Sequence, residues 1–142
     1  MSDAIEEPKA TRFEPTASPA GEPFWAGSRE GRFLLPWCGA CGAPHWFPRE
    51  VCPRCLSPEL DWREASGSGT VYAVSVMPKP GNPAMAGREP YAVALVDLAE
   101  GVRMLSEVVG GDPFTVAVGD EVRLDWEPLS DGRRLPIWRR SD

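Results

Sequence analysis

The second half of the chain carries the hydrophobic pattern of a series of short β-strands. Residues 122–127 alternate apolar and charged side chains without interruption, which is typical of a strand with one buried and one solvated face. Four further segments are rich in β-branched, aliphatic and aromatic residues, at 70–77, 91–98, 103–109 and 135–138. The last of these contains a proline, which a sheet tolerates best at an edge. Five short strands with glycine-rich turns favour a small closed or nearly closed barrel.

The N-terminal part of the chain follows a different pattern. Residues 1–22 are rich in proline, alanine, glutamate and serine, which predicts a flexible tail. A short helical segment follows, because Pro23 suits the first turn of a helix, and Phe24 and Trp25 begin a helical apolar spacing. These two aromatic residues either anchor the helix on its own domain, as such patterns most often do, or dock a partner chain.

The chain therefore divides into three regions. After the tail comes region 23–66, which holds the helical segment and all four cysteines, and then the β-rich domain 67–142. Within this domain the link 78–90 is too long for a tight hairpin and too irregular for a strand, and loops of this length are often functional or mobile. Sixteen prolines and fourteen glycines argue against long helices, so the predicted fold class is mostly β.

The distribution of apolar residues also bears on location. The chain has no stretch of about 18 apolar residues, so no membrane span is predicted. Its first residues are polar and lack the apolar core of a signal peptide, so we expect a cytoplasmic protein. Cysteines in a protein of that compartment indicate a metal before a disulfide.

The four cysteines form the clearest chemical motif. Cys38 and Cys41 make one CxxC knuckle, and Cys52 and Cys55 make a second, with ten residues between the two knuckles. Each knuckle turns the backbone so that its two sulfurs point to one place, and four thiolates in a tetrahedron are what structural zinc prefers. A pair of disulfides and an iron site are the alternatives.

A metal held by four cysteines has no open position for water or substrate, so we expect the zinc to be structural. Its role would be to hold a ribbon that has almost no core of its own. His45 is the one histidine, and because the sulfur set is complete we expect it to pack or lie at the surface. With every cysteine committed to the metal, the sequence offers no pair of nucleophile and base, and we expect a non-catalytic protein.

The charge balance bears on possible partners. The net charge is −6, and neither half has a basic surplus: residues 34–66 carry 3 Lys/Arg against 4 Asp/Glu, and residues 67–142 carry 8 against 11. Zinc ribbons and small barrels bind nucleic acid elsewhere through basic grooves and aromatic platforms. A nucleic-acid-binding module therefore stays as the alternative function, disfavoured by charge.

A series of motifs resembles those of a known family. In order along the chain they are Pro23-Phe24-Trp25, Cys38-x-x-Cys41-Gly42, Phe47-Pro48-Arg49, Cys52-Pro53-x-Cys55, Trp62, Ser66-Gly67-x-Gly69-Thr70-Val71-Tyr72, Pro90-Tyr91-x-Val93-Ala94-x-Val96, Glu100-Gly101-Val102-Arg103 and Val118-Gly119-Asp120-Glu121-Val122. The resemblance is to small acyl-CoA-associated proteins made of a rubredoxin-like zinc ribbon and an OB-fold. It implies a short N-terminal helical segment, the ribbon, and then a five-stranded OB-fold barrel.

The resemblance also implies a function. Members of this family typically accompany thiolase-like enzymes as non-catalytic partner subunits, in acyl-CoA thiolysis, condensation or retro-aldol cleavage, and some are fused to or paired with hydratase-type subunits. On that basis we expect a thiolase-like partner, with acyl-CoA entering near the link 78–90. Lys79 and Arg88 are the candidate ligands of the CoA phosphates, since both residue types bind phosphate. Weaker candidates are Arg103, Arg133, Arg134, Arg139 and Arg140.

Overall fold

The computed structural model describes residues 12–141, so the first eleven residues of the predicted tail lie outside the described residues. A 3-10 turn at Pro19–Gly21 leads into helix α1, and seven strands follow. In chain order the helix and strands are α1 (Glu22–Arg29), β1 (Leu34–Cys38), β2 (Leu60–Glu64), β3 (Ser68–Met77), β4 (Tyr91–Leu98), β5 (Arg103–Val109), β6 (Glu121–Pro128) and β7 (Arg134–Arg140). The mostly β fold class is confirmed.

The last five strands form a closed barrel. They follow the order β3-β4-β5-β7-β6, and β6 returns to pair with the start of β3. All neighbouring strands are antiparallel except β5 and β7, which run parallel and pair at two positions, Val108 with Trp138 and Val109 with Arg139. β7 closes the barrel instead of lying at an open edge, and Pro136 sits where β7 pairs with β6 alone.

The barrel interior and the ribbon share one core. Strands β1 and β2 pair as an antiparallel hairpin, and the ribbon contributes the buried side chains of Phe33 and Leu35 to the cluster that fills the barrel. Trp138 is fully buried in this cluster, with its ring centroid 6.0 Å from that of Phe33 in an edge-to-face arrangement. The zinc-ribbon region is therefore packed onto the barrel by its own side chains.

Helix α1 is anchored on the domain through its buried face. Phe24 is 2% exposed, and its ring lies edge-to-face with those of Trp25 and Trp46. Position 27 has no room for a side chain, because a Cβ atom there would lie 2.9 Å from a δ-carbon of Leu34, so glycine is required. The hydroxyl of Ser28 donates to the Trp25 carbonyl. Phe24 thus packs helix α1 onto its own domain, and contact of Phe24 and Trp25 with a partner chain stays a prediction.

The described part of the predicted tail lies against the barrel. The guanidinium of Arg12 donates to the carboxylates of Glu107 and Glu127, and the carboxylate of Glu14 accepts from the backbone and hydroxyl of Ser130. Sequence reasoning did not predict this packing, because no local pattern links residue 12 to strands about 100 positions away. Among residues 12–141, no helix has the length and apolar character needed to cross a membrane.

Candidate metal centre and apolar groove

The two knuckles bring the four cysteine sulfurs together. Cys38 ends β1, and the other three cysteines lie in the connection from β1 to β2. All four Sγ atoms lie within 4.8 Å of one another, with Cys38 and Cys55 at 3.5 Å and Cys41 and Cys52 at 3.7 Å. A tetrahedral zinc with Zn–S bonds of about 2.3 Å needs sulfurs roughly 3.8 Å apart. The donor set and its spacing therefore fit Zn²⁺.

Backbone geometry explains why each knuckle converges. The amides of Ala40 and Cys41 lie 3.3 Å from the Cys38 sulfur, and that of Arg54 lies 3.3 Å from the Cys52 sulfur. Each turn closes with an amide that donates to the carbonyl of the first cysteine, from Gly42 in one knuckle and from Leu56 in the other, both at 2.8 Å.

The two closing residues share a left-handed backbone. Gly42 has φ +79° and Leu56 has φ +67°. Glycine adopts this region without cost, whereas leucine is strained there. The Leu56 side chain is 71% exposed, so packing against its own chain does little to offset the strain.

Hydrogen bonds to sulfur favour the thiolate form of the first cysteine in each knuckle. The backbone hydrogen bond from Cys41 is the largest cause that lowers the pKa of Cys38, to about 6. The backbone hydrogen bond from Cys55 likewise lowers the pKa of Cys52. Thiolate is the form that binds zinc, so the turns prepare the site for the metal. Four thiolates fill the coordination shell, which makes the metal structural.

His45 lies in the ribbon, outside the sulfur cluster. Its side chain is 6% exposed, and neither ring nitrogen has a hydrogen-bond partner among the described residues. Burial, helped by the positive charge of Arg49, lowers the pKa of His45 below its ordinary value of 6.5. The imidazole is therefore held neutral in an environment that does not satisfy its polar atoms.

Replacing His45 by phenylalanine is expected to stabilise the protein and to flatten its pH dependence. The unfolded chain binds the imidazole proton at a higher pH than the folded chain, so stability falls as the pH drops below about 6.5. At pH 8 the variant should gain about 1–2 kcal/mol from removing unpaired polar atoms. Denaturant unfolding at pH 8 and pH 5.5 measures both effects. A wild-type pH slope retained by the variant would contradict the assignment to His45.

An apolar groove is the second candidate site. It has a volume of about 440 Å³ and lies where the N-terminal segment, helix α1, the tip of the ribbon and the barrel meet. The ribbon tip contributes Trp46 and Phe47, and the barrel wall is formed by 104–107 of β5 and 135–137 of β7. The volume is in the range of ligand-sized clefts, and apolar surface dominates its walls.

An ion-pair network borders the groove. Arg12 contacts Glu107 at 2.7 Å and Glu127 at 2.8 Å, and Arg88 contacts the same Glu127 at 2.8 Å. The four side chains are 14–20% exposed, so these pairs are screened less than surface pairs are. Burial raises the pKa of Glu127, but the hydrogen bond from Arg12 and the two positive charges outweigh it, so the net pKa is lowered. Glu127 is therefore held ionised.

The structure places the two predicted phosphate ligands in different surroundings. Lys79 is exposed in the link 78–90, whereas the guanidinium of Arg88 points back to Glu127 on β6. The weaker candidates are mostly paired as well: Arg103 with Asp97, Arg133 with Asp131, Arg139 with Asp125 and Arg140 with Asp120. Trp25 is half-buried, lines the groove, and has the guanidinium of Arg133 4.7 Å from its ring centroid.

Sequence reasoning missed the groove and the network around it. Both depend on contacts between residues far apart in the chain, which no local periodicity reports. The available signal was the motif Phe47-Pro48-Arg49, whose phenylalanine is 59% exposed at the groove.

Comparison with known proteins agrees with this architecture. A ribbon pinned by four cysteines and joined to a five-stranded barrel defines a zinc-ribbon and OB-fold protein. The family model described as ChsH2, rubredoxin-like zinc ribbon domain matches residues 25–61, and that of the ChsH2 C-terminal OB-fold domain matches residues 62–127. The chain belongs to this ChsH2 family of zinc-ribbon and OB-fold proteins, which confirms the family resemblance and structural zinc. The two models meet at 61/62, within β2, whereas the predicted division was at 66/67.

Individual relatives carry several enzyme names. The chain is 34% identical to a probable enoyl-CoA hydratase alpha subunit of Thermomonospora curvata, over 94% of this chain and 41% of that protein. It is 31% identical to the benzoylsuccinyl-CoA thiolase subunit BbsA of Geobacter metallireducens, over 93% and 85%. A solved structure described as an Ltp2-ChsH2(DUF35) aldolase matches with a TM-score of 0.80 and 33% identity, covering 89% of this chain and 98% of that one. The chain thus spans less than half of the hydratase subunit and most of the other two.

Proposed function

We propose that this chain is a non-catalytic partner subunit of a thiolase-superfamily enzyme that acts on acyl-CoA by thiolysis, condensation or retro-aldol cleavage. The observation that carries the proposal is the open apolar groove beside a metal-pinned ribbon, a surface that the described chain leaves uncovered. Such surfaces suit contact with another protein. The names of the thiolase subunit and of the aldolase support an acyl-CoA enzyme as that partner.

The partner would supply the chemistry. Cleavage or formation of a bond next to a thioester needs a nucleophile and a base placed within hydrogen-bond reach. In this chain the four cysteines converge on the metal site, and His45 is buried in the ribbon away from the groove lining. What the chain can contribute is shape, a rigid scaffold and a cation near the acyl-CoA.

Co-expression with the thiolase-like enzyme of the same organism tests the proposal. We expect the two chains to co-elute in size-exclusion chromatography. The complex should cleave a β-ketoacyl-CoA with free CoA, or a β-hydroxyacyl-CoA without it, whereas the isolated chain should release no product. Turnover by the isolated chain that survives further purification would contradict the non-catalytic role. Co-elution with a hydratase subunit and not with the thiolase-like enzyme would contradict the proposed partner and identify the hydratase subunit in its place.

We also propose that Lys79 contacts a CoA phosphate within the complex. Its ammonium group is exposed in the link 78–90, close in sequence to the groove-lining Met85. The Lys79→Ala variant should raise the apparent KM for acyl-CoA by the equivalent of about 1–3 kcal/mol, with assembly unchanged. Steady-state kinetics of the complex measure this, and an unchanged KM would remove Lys79 from the site.

Arg88 needs a different test, because its guanidinium is paired with Glu127. To bind a phosphate it would have to share or leave that carboxylate. Arg88→Ala would remove one of the two cations that contact Glu127, which could destabilise the fold. The stability of this variant is therefore measured together with its KM. Arg88→Lys keeps the charge but loses the planar, bidentate geometry of the guanidinium. A phosphate contact by Arg88 therefore predicts that both variants raise the KM.

A further inference from the structure

We propose that the apolar groove receives an uncharged segment of the partner enzyme that carries one or two large apolar side chains. This inference rests on the proposed function and names the surface through which the complex forms. It assigns to the groove a protein occupant, in place of CoA or a free small molecule.

The rim of the groove favours a protein occupant. Phe47 and Leu105 both line the groove, and each is 59% exposed. A small molecule seated between the walls would leave the outer parts of these two side chains in water. A protein segment that enters the groove and continues over its rim would cover them. An apolar floor continuous with exposed apolar residues is the arrangement found at the centre of protein interfaces.

The charges around the groove favour an uncharged occupant. The two charged side chains among the described residues that line the groove, Arg12 and Glu107, form an ion pair and offset each other. Arg12 and Arg88 also both contact Glu127. A CoA phosphate would compete with Glu127 for both guanidinium groups. An acidic or basic segment would gain nothing from a neutral rim and would lose its hydration. The groove therefore selects for apolar side chains.

Contacts within the chain hold the walls of the groove in place before anything binds. The ring centroid of Phe24 lies 4.9 Å from that of Trp25 and 5.0 Å from that of Trp46, both edge-to-face. On the barrel side, the hydroxyl of Ser106 donates to the carbonyl of Pro136 at 2.8 Å and links the two strands of the wall. A preformed groove binds with little ordering cost, which suits a stable subunit contact.

Two matched pairs of substitutions test the proposal in the reconstituted complex with the thiolase-like enzyme. Phe47→Ser and Leu105→Gln remove apolar side chains at the rim. The controls are Phe114→Ser and Val118→Gln, which change side chains of 61% and 67% exposure outside the groove lining. All four positions are exposed, so folding should be retained, and circular dichroism and zinc content check this.

We expect each rim variant to raise the dissociation constant of the complex at least tenfold and each control to change it by less than twofold. Equal effects of rim and control variants would overturn the proposal and leave the proposed function standing. An unchanged dissociation constant with a raised KM for acyl-CoA in the rim variants would also overturn it, since the groove would then hold the ligand.

Two further outcomes would overturn the proposal. The isolated wild-type chain could form a dimer in sedimentation experiments that the rim variants lose, which would make a second copy the occupant. If the wild-type chain does not bind the thiolase-like enzyme at all, both the proposed function and this inference fall.

Discussion

Replacement of Cys52 by serine is expected to abolish zinc binding and to unfold the ribbon. Cys52 is buried, and its sulfur lies 3.7 Å from that of Cys41 inside the four-sulfur cluster. Structural zinc contributes about 10–16 kcal/mol of apparent binding free energy in small zinc modules, and that energy is also folding energy. Because the ribbon contributes Phe33 and Leu35 to the common core, its loss should destabilise the barrel as well.

Elemental analysis and thermal unfolding measure the two effects. The control is Arg54→Ser in the same knuckle, because Arg54 has an exposed side chain and contributes to the site through its backbone amide. We expect the control to keep one zinc per chain and a melting temperature close to wild type. A wild-type protein free of metal, or with a mass that fits two disulfides, would contradict the assignment.

Replacement of Trp138 by alanine is expected to cost about 3–5 kcal/mol in the free energy of unfolding. Trp138 is fully buried on β7, at one of the two positions where β5 and β7 pair. Its ring packs against Phe33, so the substitution would open a cavity between the ribbon and the barrel.

Trp138→Phe separates the volume of the side chain from its polar atom. The indole nitrogen has no hydrogen-bond partner among residues 12–141, so removing it recovers desolvation energy and offsets part of the lost packing. We expect the phenylalanine variant to cost about 1–2 kcal/mol. Denaturant unfolding compares the three proteins, and equal losses for alanine and phenylalanine would show that the cavity is not the cause.

The strands could be predicted from sequence because their signals are local. Alternation over 122–127 and β-branched runs elsewhere placed all five barrel strands, with β3 beginning two residues earlier than predicted and β7 covering 134–140. The metal ligands were predictable for the same reason, since each knuckle places two cysteines three positions apart and the turn itself directs both sulfurs.

The groove and its surroundings could not be predicted in this way. Arg12 finds its carboxylates on β5 and β6, and only the closed barrel brings Glu107 and Glu127 together. For the same reason Arg88, which looked like a loop cation in sequence, is paired across the fold. Helical spacing predicted that Phe24 lies on a buried face, but it could not predict that Trp46 of the ribbon packs against the Phe24 ring.

The short parallel contact between β5 and β7 has a mechanical consequence. The two strands are joined by backbone pairing at one end, and toward Met104 and Leu135 they diverge, with the Ser106 hydroxyl bridging the gap. The groove wall is thus the end of the β5–β7 contact that lacks backbone pairing. We expect the barrel to open first between these two strands during native-state fluctuations. Amide hydrogens of 104–107, Leu135 and Ile137 should exchange with solvent sooner than those of the long β3–β4 ladder, and a segment held in the groove should slow that exchange.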